Sequence, residues 1–122
     1  LKNKDQVLAL LPRAAPGVAP GRALAIAVSY LRAHPLHHLS LDGVRLVVLT
    51  DRSGANRVYE TGTLRFTGWD GASGVTDTEG GRWQLHEDGL IGPQGARLPR
   101  YPAHRAFWFG WRAAYPDTVL VR

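Results

Sequence analysis

The fold turns on Pro102-Ala103-His104-Arg105-Ala106-Phe107-Trp108-Phe109-Gly110-Trp111-Arg112-Ala113-Ala114-Tyr115-Pro116-Asp117-Thr118, which gathers large rings between two prolines. At helical spacing His104, Phe107, Trp111 and Tyr115 share one stripe, and Arg105, Trp108 and Arg112 share the next. The spacing predicts an amphipathic helix over 104–115 with an aromatic face to bury and a basic face beside it. A buried Trp or Phe contributes about 2–3 kcal/mol, so such a helix would supply much of the core energy. Pro116 cannot continue a helix and pushes Tyr115 out of helical backbone, so the element should end there.

Before this stretch the chain reads as strands separated by glycine turns. Leu36–Leu41 and Val44–Thr50 are apolar runs joined by Asp42-Gly43, the dipeptide that best accepts positive φ at a two-residue hairpin turn. Residues 57–60, 63–67, 74–78 and 82–86 read as further strands, with Trp83 and Leu85 on one face. Residues 87–101, rich in glycine and proline, read as a loop crossing the sheet, and 118–121 as a last strand. Upstream, residues 22–27 read as a strand running into a short helix that ends at Ala33. Val7, Leu8, Leu10 and Leu11 suggest a short helix over 4–11, and residues 12–21 a proline and glycine linker. The expected fold is α+β and β-rich: residues 1–21 form the helix and linker, and residues 22–122 one domain. That domain would be an antiparallel meander or small curled barrel of about six to eight strands, packed on the C-terminal aromatic helix.

At 122 residues the chain is long enough for a real core, burying about two-thirds of its unfolded surface. It has no cysteine, which excludes disulfides, a thiolate nucleophile and cysteine-ligated zinc or iron–sulfur centres. The apolar-leaning run 23–31 is shorter than the about 20 residues a membrane-crossing helix needs. It begins with leucine and contains no methionine, which reads as a processed or excised product and favours an exported protein. The net charge of +5 raises nucleic acid or an anionic membrane surface as a partner. The arginines are spread along the chain, however, as ion-paired surface arginines are.

Read together, Asp77, Gly80-Gly81, Arg82-Trp83-Gln84-Leu85, Gly92-Pro93, Gly95, Arg97-Leu98-Pro99, Ala106-Phe107-Trp108-Phe109-Gly110-Trp111 and Pro116-Asp117-Thr118 resemble the C-terminal signature of a prokaryotic family designated domain of unknown function 3179. The resemblance covers residues 77–120 well and extends more weakly back to Gly21. Many family members carry a Cys-Pro-Leu-Cys-like turn after the central apolar strand, where this chain has Asp51-Arg52-Ser53-Gly54-Ala55. Any redox or metal chemistry of that turn would be lost here. The resemblance implies an exported domain, often part of longer chains, with no agreed reaction.

Three groups could carry chemistry. His34, His37 and His38 have metal-ligand spacing if helical, but Pro35 argues for a strand, which sends His37 and His38 to opposite faces. Asp77, His86 and Glu87, with Glu79 and Asp88 nearby, could perform general acid–base work, or serve as turn formers beside glycines. No serine lies in a nucleophile elbow, and Gly89–Gly95 lacks the Lys-Ser/Thr of a phosphate loop, so no cofactor is expected. Trp108 between Arg105 and Arg112, with Arg97, Arg100 and Tyr101 in the preceding loop, could bind a partner; alternatively Trp108 covers the sheet and the arginines extend to solvent. The sequence reads best as a non-catalytic binding or assembly module, an accessory domain or subunit of an exported protein complex. A hydrolase using Asp77, His86 and Glu87, or a charge-driven nucleic-acid or anionic-surface binder, are the alternatives.

Overall fold

A computed structural model describes residues 1–13, 16–17 and 21–122. The linker expected over 12–21 lies partly outside the described residues. In chain order the elements are β1 (Gln6–Leu10), β2 (Leu24–Ala27), α1 (Val28–Ala33), β3 (Leu36–Leu41), β4 (Val44–Thr50), β5 (Asn56–Glu60), β6 (Phe66–Trp69), β7 (Gly74–Asp77), β8 (Arg82–Leu85), β9 (Gly89–Ile91), a 3₁₀ turn (Pro93–Gly95), β10 (Arg97–Pro99), β11 (His104–Phe107), α2 (Trp108–Ala114) and β12 (Val119–Val121). The fold is α+β and β-rich, in three sheets with no closed barrel among the described residues. Among the described residues no helix is long and apolar enough to cross a membrane.

The chain divides into two compact units, one of residues 1–33 and 102–122, the other of residues 34–101. In the first, the sheet order is β11-β1-β2-β12, with β2 and β12 parallel and the other pairs antiparallel. The helix expected over 4–11 is instead β1. Val7, Leu8, Ala9 and Leu10 are all buried, as in a central strand covered on both faces, and such a run has no alternation to separate it from a helix. β2 passes directly into α1, as expected.

The long aromatic helix is also corrected. Residues 104–107 form β11, paired from Gln6↔Phe107 to Ala9↔His104, and the helix is only α2. Two facts explain this. β1 offers a strand edge that this segment's backbone can satisfy, and four rings between 107 and 111 cannot all lie on one helical face. The pairing runs on into the helix: Trp108 N–H donates to Asp5 O (2.9 Å) and Phe109 N–H to Asn3 O (3.1 Å), taking the place of a side-chain cap. At the other end Trp111 stacks on Tyr115 with centroids 4.4 Å apart, and its Nε1–H donates to Thr118 Oγ1 (3.0 Å). The element stops before Pro116, as expected.

The second unit contains the meanders β3-β4-β5 and β6-β7-β8-β9-β10. Asp42 (φ 52°) and Gly43 (φ 81°) turn β3 into β4 with the positive angles that a two-residue hairpin requires. The core is Val47, Leu49, Tyr59, Phe66, Val75, Trp83 and Leu90, so Trp83 packs among the strands of its own unit. Phe66 meets Trp83 edge to face at 6.2 Å. The expected strand 63–67 begins only at Phe66, because Thr61 to Leu64 forms a turn closed by Leu64 N–H donating to Thr61 O.

Residues 87–101 are not a loop. Gly89 lies so close to Leu98 O, and Gly92 so close to the Trp83 indole, that neither has room for a Cβ; these glycines allow close strand and ring packing. The two meanders approach at two seams. At one, Tyr59 bridges Arg100 and Tyr101 N–H donates to Val58 O (2.8 Å). At the other, Phe66 N–H donates to His38 Nε2 (3.1 Å).

Gly92→Ala should lower the thermal midpoint, at a cost of about 2 kcal/mol or more, since the methyl would enter the Trp83 ring. Tyr59→Phe in the same core should leave stability unchanged or raise it, because Tyr59 Oη is buried with no hydrogen-bond partner among the described residues. Thermal melts of the two variants check this opposition.

His38 makes the second seam sensitive to pH. Burial, then Arg65 and His37, hold its pKa below the ordinary 6.5, and burial and His34 do the same for His37. The unfolded chain therefore gains protons near pH 6.5 that the folded chain refuses, so stability holds above that pH and falls below it. His38→Gln, whose amide oxygen can still accept from Phe66 N–H, should flatten this slope in denaturant titrations run from about pH 8 to about pH 5.

Candidate functional site

The sequence-predicted catalytic group is not assembled. Asp77 ends β7 beside Gly81, whereas His86 and Glu87 follow β8 at its opposite end. Four residues of extended strand place them more than about 10 Å apart. The Asp77 carboxylate is also occupied. It is buried and accepts from Trp83 Nε1–H (2.9 Å), Gly81 N–H (2.8 Å) and Glu79 N–H (2.9 Å). These bonds, led by that from Trp83, lower its pKa. A carboxylate held ionised by fixed donors anchors a turn; it does not exchange protons near neutral pH.

Two other turns use the same device. Asp51 Oδ1 accepts from Ser53 N–H, Ser53 Oγ–H and Ala55 N–H, while Oδ2 meets Arg57 Nη1 at 3.1 Å. The Ser53 hydroxyl leads the bonds that bring the Asp51 pKa down to about 2. Asp70 accepts from the amides of Ala72, Ser73 and Gly74, which lower its pKa. The turn formed by residues 51–55 is thus organised by a carboxylate.

His86 and Glu87 do share an open groove of about 510 Å³ with Asn56, Arg57, Ser73 and Arg100. Within it Arg57 is paired with Asp51, and Arg100 Nη1 donates to the backbone carbonyl of Glu87 (3.1 Å). The histidines do not form a metal centre. His37 and His38 point to opposite faces of β3, as their partners Val48 and Val47 require, and His38 accepts a backbone N–H. No group of three or more ligand-type residues placed to hold a metal occurs among the described residues.

The expected binding residues divide between the two units. Arg97 and Arg100 are exposed on the second, but Tyr101 is only 3% exposed and belongs to its interior. Arg105 lies on β11, where its Nη1 donates to Gln6 Oε1 (2.9 Å), so it is not on a helical stripe with Trp108 and Arg112. Trp108 is half-buried and Arg112 exposed. Around them α2 buries no residue, and Phe107 and Phe109 are 52% and 55% exposed. Reading Phe107 as a buried helical position missed this. The signal available was Phe107-Trp108-Phe109 itself, three consecutive rings that no single face can hide.

Acid should separate the turn carboxylates from their donors. Each of the three has a folded-state pKa below the ordinary 3.8, so the stability it contributes is present above that pH and is lost as pH falls below it, for Asp51 down to about 2. Asp77→Asn, which cannot accept all three bonds, should cost about 1–3 kcal/mol near neutral pH and reduce the acid-dependent loss. Trp fluorescence in denaturant titrations from about pH 6 to about pH 2 measures both effects.

Comparisons with protein-family models, curated proteins and solved structures find no match to this chain.

Proposed function

We propose that the protein is a non-catalytic binding or assembly module, an accessory domain or subunit of an exported protein complex; of this, the resemblance of residues 77–120 to the domain of unknown function 3179 family implies only the exported domain. The observation that carries this reading is the aromatic surface around α2, where Phe107 and Phe109 are more than half exposed and the helix buries nothing. Exposed rings cost hydration free energy and are common anchors of protein interfaces, particularly beside arginine. Arg105, two residues before Phe107 on the same face of β11, and Arg112, one turn after Phe109 on α2, are exposed and supply that charge. The separation of Asp77 from His86 and Glu87 weighs against the hydrolase reading.

The test is co-purification of the native protein, with chemical cross-linking to locate the contact. Phe107→Ser with Phe109→Ser should reduce recovery of the partner by about tenfold or more, as loss of two aromatic anchors does, while the thermal midpoint stays within a few degrees. Undiminished capture by the double variant, or cross-links confined to residues 34–101, would refute this reading.

A further inference from the structure

The core-facing side of the sheet β3-β4-β5 changes character along its length. Cross-strand pairing puts Leu36, His38 and Ser40 of β3, Arg45, Val47 and Leu49 of β4, and Arg57 and Tyr59 of β5 on one face. Thr61 continues the row, its N–H donating to Arg45 O (3.0 Å). Val47, Leu49 and Tyr59 belong to the core. Beyond Val47 the same face presents His38, Ser40, Arg45 and Thr61, which with Arg65 and three leucines line a groove of about 350 Å³.

All the polar side chains of this lining can donate hydrogen bonds, and none is a carboxylate. Because His38 Nε2 accepts from Phe66 N–H, the neutral ring carries its proton on Nδ1 and presents a donor there. Ser40 and Thr61 add hydroxyls, and Arg45 and Arg65 add guanidinium forks suited to two-point contact with a carboxylate or phosphate. The charge of Arg65 is felt at the His38 ring, where it disfavours the imidazolium. Leu64 supplies an apolar wall, whereas Leu39 and Leu46 pair with each other on the opposite face of the sheet. The groove that contains His86 and Glu87 differs, because its lining includes a carboxylate and its Arg57 is paired with Asp51.

We infer that the groove of His38, Ser40, Arg45, Thr61 and Arg65 binds a small organic anion, a carboxylate or phosphate ester on a short apolar body. The anionic head takes the two guanidinium groups and the hydroxyls, and the body lies against Leu64. Its volume is that of a small-molecule site.

The experiment titrates the ¹⁵N-labelled full chain with hexanoate, hexyl phosphate and 1-hexanol, following the Phe66 amide and the Arg65 Nε–H resonances. Saturable shifts from one or both anions, half-complete at or below about 1 mM, with none from the alcohol, support the site. Hexanoate alone would identify a carboxylate ligand, and hexyl phosphate alone a phosphate ester. Arg45→Gln with Arg65→Gln should weaken binding by about tenfold or more. Ser40→Glu, which adds a negative charge at an exposed position, should do the same without removing either arginine. No saturable shift with either anion, equal shifts from 1-hexanol, or wild-type affinity in both variants would overturn the inference.

Discussion

The unit of residues 34–101 depends on one contact, the hydrogen bond from the Trp83 indole to the buried Asp77 carboxylate. It joins the largest ring of the core to the turn that pairs β7 with β8. Gly81 leaves room for the carboxylate on one side, and Gly92 lets β9 lead past the indole on the other. A buried charge is tolerated here because three donors surround it, and losing any one would leave desolvated charge poorly compensated. The four residues Asp77, Gly81, Trp83 and Gly92 act as one device. This also explains why an acidic side chain beside a tryptophan and a histidine-bearing hairpin is architecture.

The other unit is organised by β1. It is the one strand with antiparallel partners on both sides, and its four buried residues leave no polar face. Its pairing with β11 continues through the carbonyls of Asp5 and Asn3 to the first amides of α2. The short helix is therefore held by its backbone and by the Trp111, Tyr115 and Thr118 contacts at its end, not by burial of a face. A helix held in this way can carry rings in solvent, and the proposed interface makes use of that freedom.

Local features were legible in the sequence and distant ones were not. Asp42-Gly43 specified its hairpin because two residues determine that backbone, and Pro116 marked the end of α2 for a similarly local reason. The passage from β2 into α1 was also readable. By contrast, Val7 to Leu10 carry no periodicity, so only the neighbours β2 and β11 make them a strand. The 104–115 stripe looked helical because period counting ignores an available sheet edge. Glycines at 89 and 92 resembled loop punctuation, although they serve close packing against Leu98 and Trp83. The donor-lined groove was invisible for the same reason: Ser40, Arg45, Thr61 and Arg65 become neighbours only when three separate segments pair.

The division of the chain has a consequence for how it is made. Residues 34–101 form a continuous insertion between the two segments that build the other unit. The inserted unit consists of hairpins between consecutive strands, whereas β1 waits for β11 and β2 for β12, nearly the whole polypeptide away. Contacts that close long loops form late, so during synthesis the insertion can be complete while β1 and β2 still lack β11 and β12. Until residues 102–121 are available, β1 and β2 can pair only with each other and leave their outer edges open, and that interval is when this chain most needs chaperoning.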